Sequence, residues 1–337
     1  MVALCALVAT VAFAQAQGSE VPAPLKVSVA AGPALPLGKA AERWAALIGE
    51  DTARGLSTEL HPGASLAGRD PAREAEALRS GSADLAVASA LQWSLQVPAL
   101  GVYALPWLAP SDRALEALAA DATLSAAIAQ KLDDHGLVLV ALAPLGHRAL
   151  ATTGRAVRAP DDLRGLRLRA TALPLVHDLL LALGALPQAM PFSEARAALG
   201  KGELDGQVGS PVSLATARAA SSGLKHVTDW SAVADVMVFV VRKPVWDALG
   251  AAQREAVRRH AGTAIAQAQP LVRQQDALRT LARNGASIVR ITPAGHEAFR
   301  AAAQPVFDRW RGAVGAELAA IAERIVAGVP APEAKRP

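Results

Sequence analysis

Two arginines carry the most pointed chemistry in this sequence. Arg148 stands in GHRALATT and Arg169 ends LRGLRLR, each on a short strand-like run that stops at a loop or helix. A guanidinium is planar and donates two parallel N–H bonds, the geometry a carboxylate accepts. The stretch from Gly146 to Pro211 that holds both therefore reads as half of a cleft for a small organic anion. The competing reading is a solvated surface, since Lys and Arg together number 34 and most arginines face water. Period-two alternation puts Arg148, Leu150 and Thr152 on one side of the first run. It sets Arg167 and Arg169 opposite Leu166 and Leu168 on the second.

Other chemistries are missing. The 7 histidines are scattered, and His296-Glu297 is not followed by the second histidine of a zinc motif. There is no G-x-S-x-G elbow, phosphate loop or dinucleotide glycine pattern. His147 beside Arg148 reads as a ligand neighbour or a structural histidine. The pairs Asp133-Asp134 and Asp161-Asp162 read as turn or cap residues. No metal, no cofactor and no catalytic constellation is expected, so the chain reads as a binder rather than an enzyme.

The elements that must position the arginines follow from periodicity. LKVSVAA (25–31) reads as a buried strand. A helix follows with Ala40, Trp44, Leu47 and Ile48 on one face, then a strand with Leu56, Thr58 and Leu60 alternating. DPAREAEALRSG is a short helix with Asp70 at its cap and Pro71 just inside. ADLAVAS (83–89) is another buried strand. This alternation predicts an α/β fold with a mostly parallel sheet. The apolar, proline-rich stretch 91–110 reads as a loop. It places Gln92, Trp93 and Trp107 at the crest of the sheet, where ligands collect, with packing as the alternative for Trp107. Helices are expected over 111–135, then the strand LVLVALAP. Beyond Arg169 come an apolar helix, the strand ALPQAM, a helix capped by Ser193 and the strand ELDGQ. LKHVTDW and DVMVFVVRK read as neighbouring strands that cross between lobes. Later helices include a long one interrupted at Pro270. After the strand ASIVRI, a final helix runs from Thr292-Pro293 to about Ala327.

Composition narrows the class. The 337 residues suffice for one large or two medium domains, and 52% are apolar. The net charge of +4 is spread among acidic residues rather than run together with aromatics, which argues against nucleic acid. The single cysteine, Cys5, lies in LCALVATVAFAQA, too short for the roughly 20 residues of a membrane span. Small residues of A-x-A type end it, so residues 1–16 read as a secretory signal peptide. No Lys or Arg precedes the apolar run, so the leader is expected to begin further upstream. Its removal would leave a chain without cysteine, hence without disulfides or thiol chemistry.

Several fragments, in their order, resemble one family. These are GKAAERWAALI, HPGASLAGRDPAREAEALRSGSADLAVAS, VYALPWL, the G-x-R before a Thr pair, DDLRGLRLR, LGALPQAMPFSEARAAL and G-x-x-DGQ. Together they are similar to the solute-binding protein of a tripartite ATP-independent periplasmic (TRAP) transporter, of the DctP type. The resemblance implies a two-lobed periplasmic binding protein fold. Each lobe is a mixed sheet flanked by helices, and hinge strands and a long helix join them. Lobe I would take 25–146 with 235–268, lobe II 147–234 with 269–327, and 328–337 would be a disordered tail. It implies a monomer in the periplasm that delivers a small carboxylate to TRAP permease subunits. Arg169 falls on the family's main carboxylate-binding arginine and Arg148 on a second. The family follows Asp-Gly-x with Glu and then Asn or Gly, whereas here Asp205-Gly206-Gln207 precedes Val208, Gly209 and Ser210. Gln207, Ser210 or a backbone N–H would replace the missing polar contact, and Gln92 and Trp93 would form the opposite wall. Two alternatives share these residues: a receptor that presents its ligand to a sensor kinase, and a periplasmic enzyme acting on an organic acid.

Overall fold

The structure is a computed structural model and describes Val21, residues 24–218 and residues 223–330. The segment read as a signal peptide and most of the tail lie outside the described residues. Strand and helix alternate at first as periodicity predicts: β1 (Leu25–Val29), α1 (Pro36–Glu50), β2 (Thr58–Pro62), α2 (Glu74–Arg79) and β3 (Leu85–Ser89). Asp70 accepts from Ala72 N at 3.0 Å and opens the 3-10 turn Pro71–Arg73 that runs into α2. The stretch after β3 is not the expected loop. It coils into α3 (Ala90–Trp93), capped by Ser89, and a 3-10 helix over Pro98–Ala104. α4 (Asp112–Ala120) and α5 (Ala122–Asp133) follow, capped by Ser111 and Asp121.

The middle of the chain gives β4 (Leu137–His147), β5 (Ala149–Thr152), β6 (Arg167–Ala170), α6 (Pro174–Ala182), β7 (Leu186–Ala189), α7 (Phe192–Gly200), β8 (Gly206–Gly209) and α8 (Pro211–Thr216). Pro191 holds the cap position of α7, so Ser193 lies inside the helix rather than capping it. The last part gives β9 (His226–Asp229), β10 (Ala234–Arg242), α9 (Lys243–Ala248), α10 (Ala251–Val272), α11 (Gln274–Arg283), β11 (Ser287–Arg290), α12 (Pro293–Val314) and α13 (Ala316–Ala327). α10 continues through Pro270 to Val272. The single final helix of the sequence reading is two, split at Gly315, whose φ of 106° leaves the helical region. No helix of the described residues is long and apolar enough to cross a membrane.

Among the described residues the strands form two mixed sheets. The first has the order β2-β1-β3-β10-β4, the second β11-β9-β5-β8-β6-β7. β10 shows why the first sheet forms. Val236, Val238 and Val240 enter the core under α3, α4 and α5, and Met237, Phe239 and Val241 enter the core under α1 and α10. A strand buried on both faces needs this unbroken apolar run. In the second sheet Leu150, Leu168 and Val208 face one core and Ala149 and Ala151 the other. Each sheet with its helices is one lobe.

The chain passes between the lobes at Arg148, which joins β4 to β5, at residues 230–233, which join β9 to β10, and at Arg273, between α10 and α11. Arg148 N donates to Val233 O at 2.8 Å, and Trp230 Nε1 donates back to Arg148 O at 3.0 Å. These bonds lash two crossings together. α12 lies along both lobes, with Phe299 in a second-lobe core and Val314 in a first-lobe core. One boundary departs from the sequence reading. α13 does not stay with lobe II; it packs on α4 and α5, and Leu318, Ala319 and Ala322 join the first lobe's core.

Candidate ligand-binding cleft

The carboxyl ends of β1 and β3 in one lobe face those of β6 and β8 in the other across a cleft of about 440 Å³. Loops at strand carboxyl ends are where open α/β sheets hold ligands. The first lobe contributes residues 30–32 after β1, residues 35–37 at the start of α1, and Ser89 and Gln92. The second contributes Arg169, Thr171, Gly209, Ser210 and the inner face of α8. Residues 146–148 and Asp235 close the hinge end.

Arg169 is the buried cation of this cleft. It is 6% exposed, and its Nε donates to the Met190 carbonyl at 2.9 Å. Burial first, and the like charge of Arg148 second, lower its pKa to about 10. It stays charged at neutral pH, yet it has lost much of its hydration, and an anion in the cleft would offset that loss. Arg148 reaches the cleft from the hinge, where its Nη2 donates to Asp235 Oδ2 at 2.6 Å. Ser210 lines the wall and also caps α8, accepting from Ser213 N at 3.1 Å and donating to Ser213 Oγ at 2.8 Å. Gln92 lines the opposite wall. Arg167 serves elsewhere: it pairs with Asp205 at 2.8 Å and holds that carboxyl below its usual pKa.

Two residues expected on the cleft are not on its walls. Trp93 is fully buried in the first lobe's core. Successive helical residues are about 100° apart, so the turn of α3 that sends Gln92 outward sends Trp93 inward. Gln207 is 3% exposed on β8, level with Arg169 in the neighbouring strand, and does not line the cleft. Its Oε1 is buried without a hydrogen-bond partner. Val208 points the other way, into the core with Leu168.

The sequence reading also missed residues. Asp235 is 2% exposed and gathers three donors: Arg148, Ser89 Oγ at 2.6 Å and Leu91 N at 3.1 Å. The signal for it was present, an acidic residue heading the apolar run of β10. His147 touches the cleft, but its ring turns into the first lobe. Nε2 lies 2.8 Å from Ala109 O, and Nδ1 lies 3.2 Å from Asp112 Oδ1, which lowers the Asp112 pKa. Its backbone N–H donates to Gln274 Oε1 at 3.3 Å, and Gln274 Nε2 donates to Asp229 at 2.8 Å. Gln274 thereby ties α11 to both hinge strands.

Two α/β lobes around a cationic cleft at a hinge define a bilobal binding protein. Residues 27–312 match the family model DctP, described as bacterial extracellular solute-binding protein, family 7. The chain belongs to this family, whose solved relatives include solute-binding proteins of TRAP transporters. The C4-dicarboxylate-binding periplasmic protein DctP of Rhodobacter capsulatus is 25% identical over 303 residues, covering 89% of this chain and 90% of its own. A TRAP periplasmic solute-binding protein from Ralstonia eutropha H16, solved with bound (S)-2-acetolactate, superposes with a TM-score of 0.86. Its identity is 36%, over 91% of this chain and 99% of that one. Another from Ochrobactrum anthropi, solved with its C-terminus in the ligand pocket, gives a TM-score of 0.81 at 25% identity, over 90% and 94%. The family and these neighbours are substrate-binding proteins, and the Rhodobacter relative is periplasmic.

Proposed function

We propose that this protein captures a small organic carboxylate between its lobes in the periplasm and delivers it to a TRAP-type membrane permease. The observation that carries this reading is Arg169, a buried guanidinium on the wall of an interlobe cleft. Bidentate pairing with a carboxylate gives such a group both charge compensation and fixed geometry. Arg148, Gln92 and Ser210 orient the rest of the ligand, and Gln207 lies level with Arg169 on the adjacent strand. A ligand that touches both lobes favours the closed form over the open one, which is how binding becomes a signal to the permease. The Ralstonia relative holds a carboxylate in the same fold, which supports the reading.

The test is calorimetric titration of wild type and variants with the acid that co-purifies with the protein. Arg169→Ala is expected to cost about 3 kcal/mol, roughly 100-fold in affinity. Arg169→Lys keeps the charge but loses the fork and should fall between. Unchanged affinity in Arg169→Ala would sink the reading.

A further inference from the structure

We propose that Asp235 sets the charge preference of the cleft, so that it takes monocarboxylates and turns dicarboxylates away. The proposal rests on the carboxylate reading of the cleft. Among the described residues lining it, the charged side chains that face its interior are Arg148, Arg169 and Asp235. The remaining titratable one, His147, directs both ring nitrogens at Ala109 and Asp112 instead.

Asp235 is a fixed part of the wall. Ser89 Oγ, Leu91 N and Arg148 Nη2 converge on its two oxygens within 3.1 Å. A carboxylate accepts without donating, which is what three converging donors require. Its negative charge offsets that of Arg148, so this pair presents little net charge to a ligand. The ligand's first carboxylate pairs with Arg169. A second carboxylate near Arg148 would meet Asp235 within a few ångströms, and like charges crowded in a partly desolvated site repel strongly.

A neutral oxygen faces no such penalty. Arg148 has five N–H donors, and the bond to Asp235 uses one of them. A hydroxyl or keto oxygen can take another. The start of α1 adds the positive end of a helix with no capping side chain and no acidic residue in its first turn. Leu35, Leu37 and Val212 offer apolar surface for a short alkyl tail. The ligand class is therefore a monocarboxylate whose other oxygens are uncharged.

The experiment titrates the full chain with matched acids: butyrate with succinate, 2-hydroxybutyrate with malate, valerate with glutarate. Each pair differs by a terminal methyl replaced by a carboxylate. Wild type is expected to bind the better monocarboxylates at least tenfold more tightly than their partners. Asp235→Asn, which keeps an acceptor for Leu91 N, should shift that ratio at least tenfold toward the dicarboxylates. Equal or tighter dicarboxylate binding by wild type overturns the proposal whether or not the variant folds. An unmoved ratio in folded Asp235→Asn, its folding checked by melting, overturns it too. Both outcomes leave the carboxylate reading standing. Failure of every acid to bind wild type counts against that reading and removes this proposal with it.

Discussion

Three buried ionisable groups, Arg169, Asp235 and Glu74, show how this protein uses desolvation. The first two line the cleft, Arg169 donating to Met190 O and Asp235 accepting from Ser89, Leu91 and Arg148. Glu74, at the start of α2, is fully buried. Ser28 Oγ donates to its Oε1 at 2.7 Å, while Oε2 has no partner. Burial raises its pKa from 4.5 to about 7, opposed by Ser28 and, more weakly, by the nearby Trp93 indole. The native state therefore holds a proton that the unfolded chain has released. That contribution is complete at low pH and is lost as pH climbs from 4.5 toward 7, on a scale of about 3 kcal/mol. Urea unfolding at pH 5 and pH 8 should show wild type losing stability over this range and Glu74→Gln losing markedly less. Parallel losses would refute it. At this scale Arg169 was legible in the sequence because a fork-shaped cation closed a recognisable motif. Trp93 was misread because a proline-rich stretch hid one helical turn. Asp235 went unread because its partners, Ser89 and Arg148, lie far away in sequence and only the fold assembles them.

Two glycines on or beside the cleft wall behave oppositely, and their elements explain why. Gly38 lies in the first turn of α1, where an added Cβ would stand 2.0 Å from the Gly32 carbonyl oxygen and 2.6 Å from that of Ala31. Both are backbone atoms of the loop that lines the cleft, so Gly38→Ala must drive helix and loop apart. A loss of about 3 kcal/mol or outright misfolding is expected in thermal melts. At Gly209, a Cβ would meet Leu214 Cδ2 at 3.6 Å, an ordinary contact. Gly209→Ala should melt within a degree or two of wild type, a shift of about 0.5 kcal/mol. Most strands were readable because alternation or an unbroken apolar run marks them, and β10 shows both faces of the first lobe in one string. The break at Gly315 was not, since a lone glycine inside a helical pattern costs only about 1 kcal/mol against alanine. What decides it is tertiary: Leu318 and Ala322 find their core on α4 and α5, in the other lobe.

Seen whole, the molecule concentrates its mechanics at one place. Arg148 has its side chain in the cleft and its backbone at a crossing between the lobes, so the proposed ligand contact and the joint share a residue. Gln274 binds both hinge strands from the third crossing, and α12 with α13 straps the lobes from behind. Gln274→Ala should loosen this arrangement, lowering the melting temperature by several degrees, equivalent to about 1–2 kcal/mol for hydrogen bonds lost from a buried side chain. Beside the hinge, Trp107, Trp230 and Phe299 pack with ring centroids 5.8 to 6.0 Å apart. The Trp230 N–H rests on Arg148 O, and the Trp107 N–H rests on Trp230 O at 2.9 Å. An indole's emission follows its hydrogen bond and its ring neighbours, and here both belong to the joint between the lobes. The chain thus carries its own optical gauge. Saturating acid should change tryptophan fluorescence, and Trp230→Phe should abolish most of that change while binding measured by calorimetry persists.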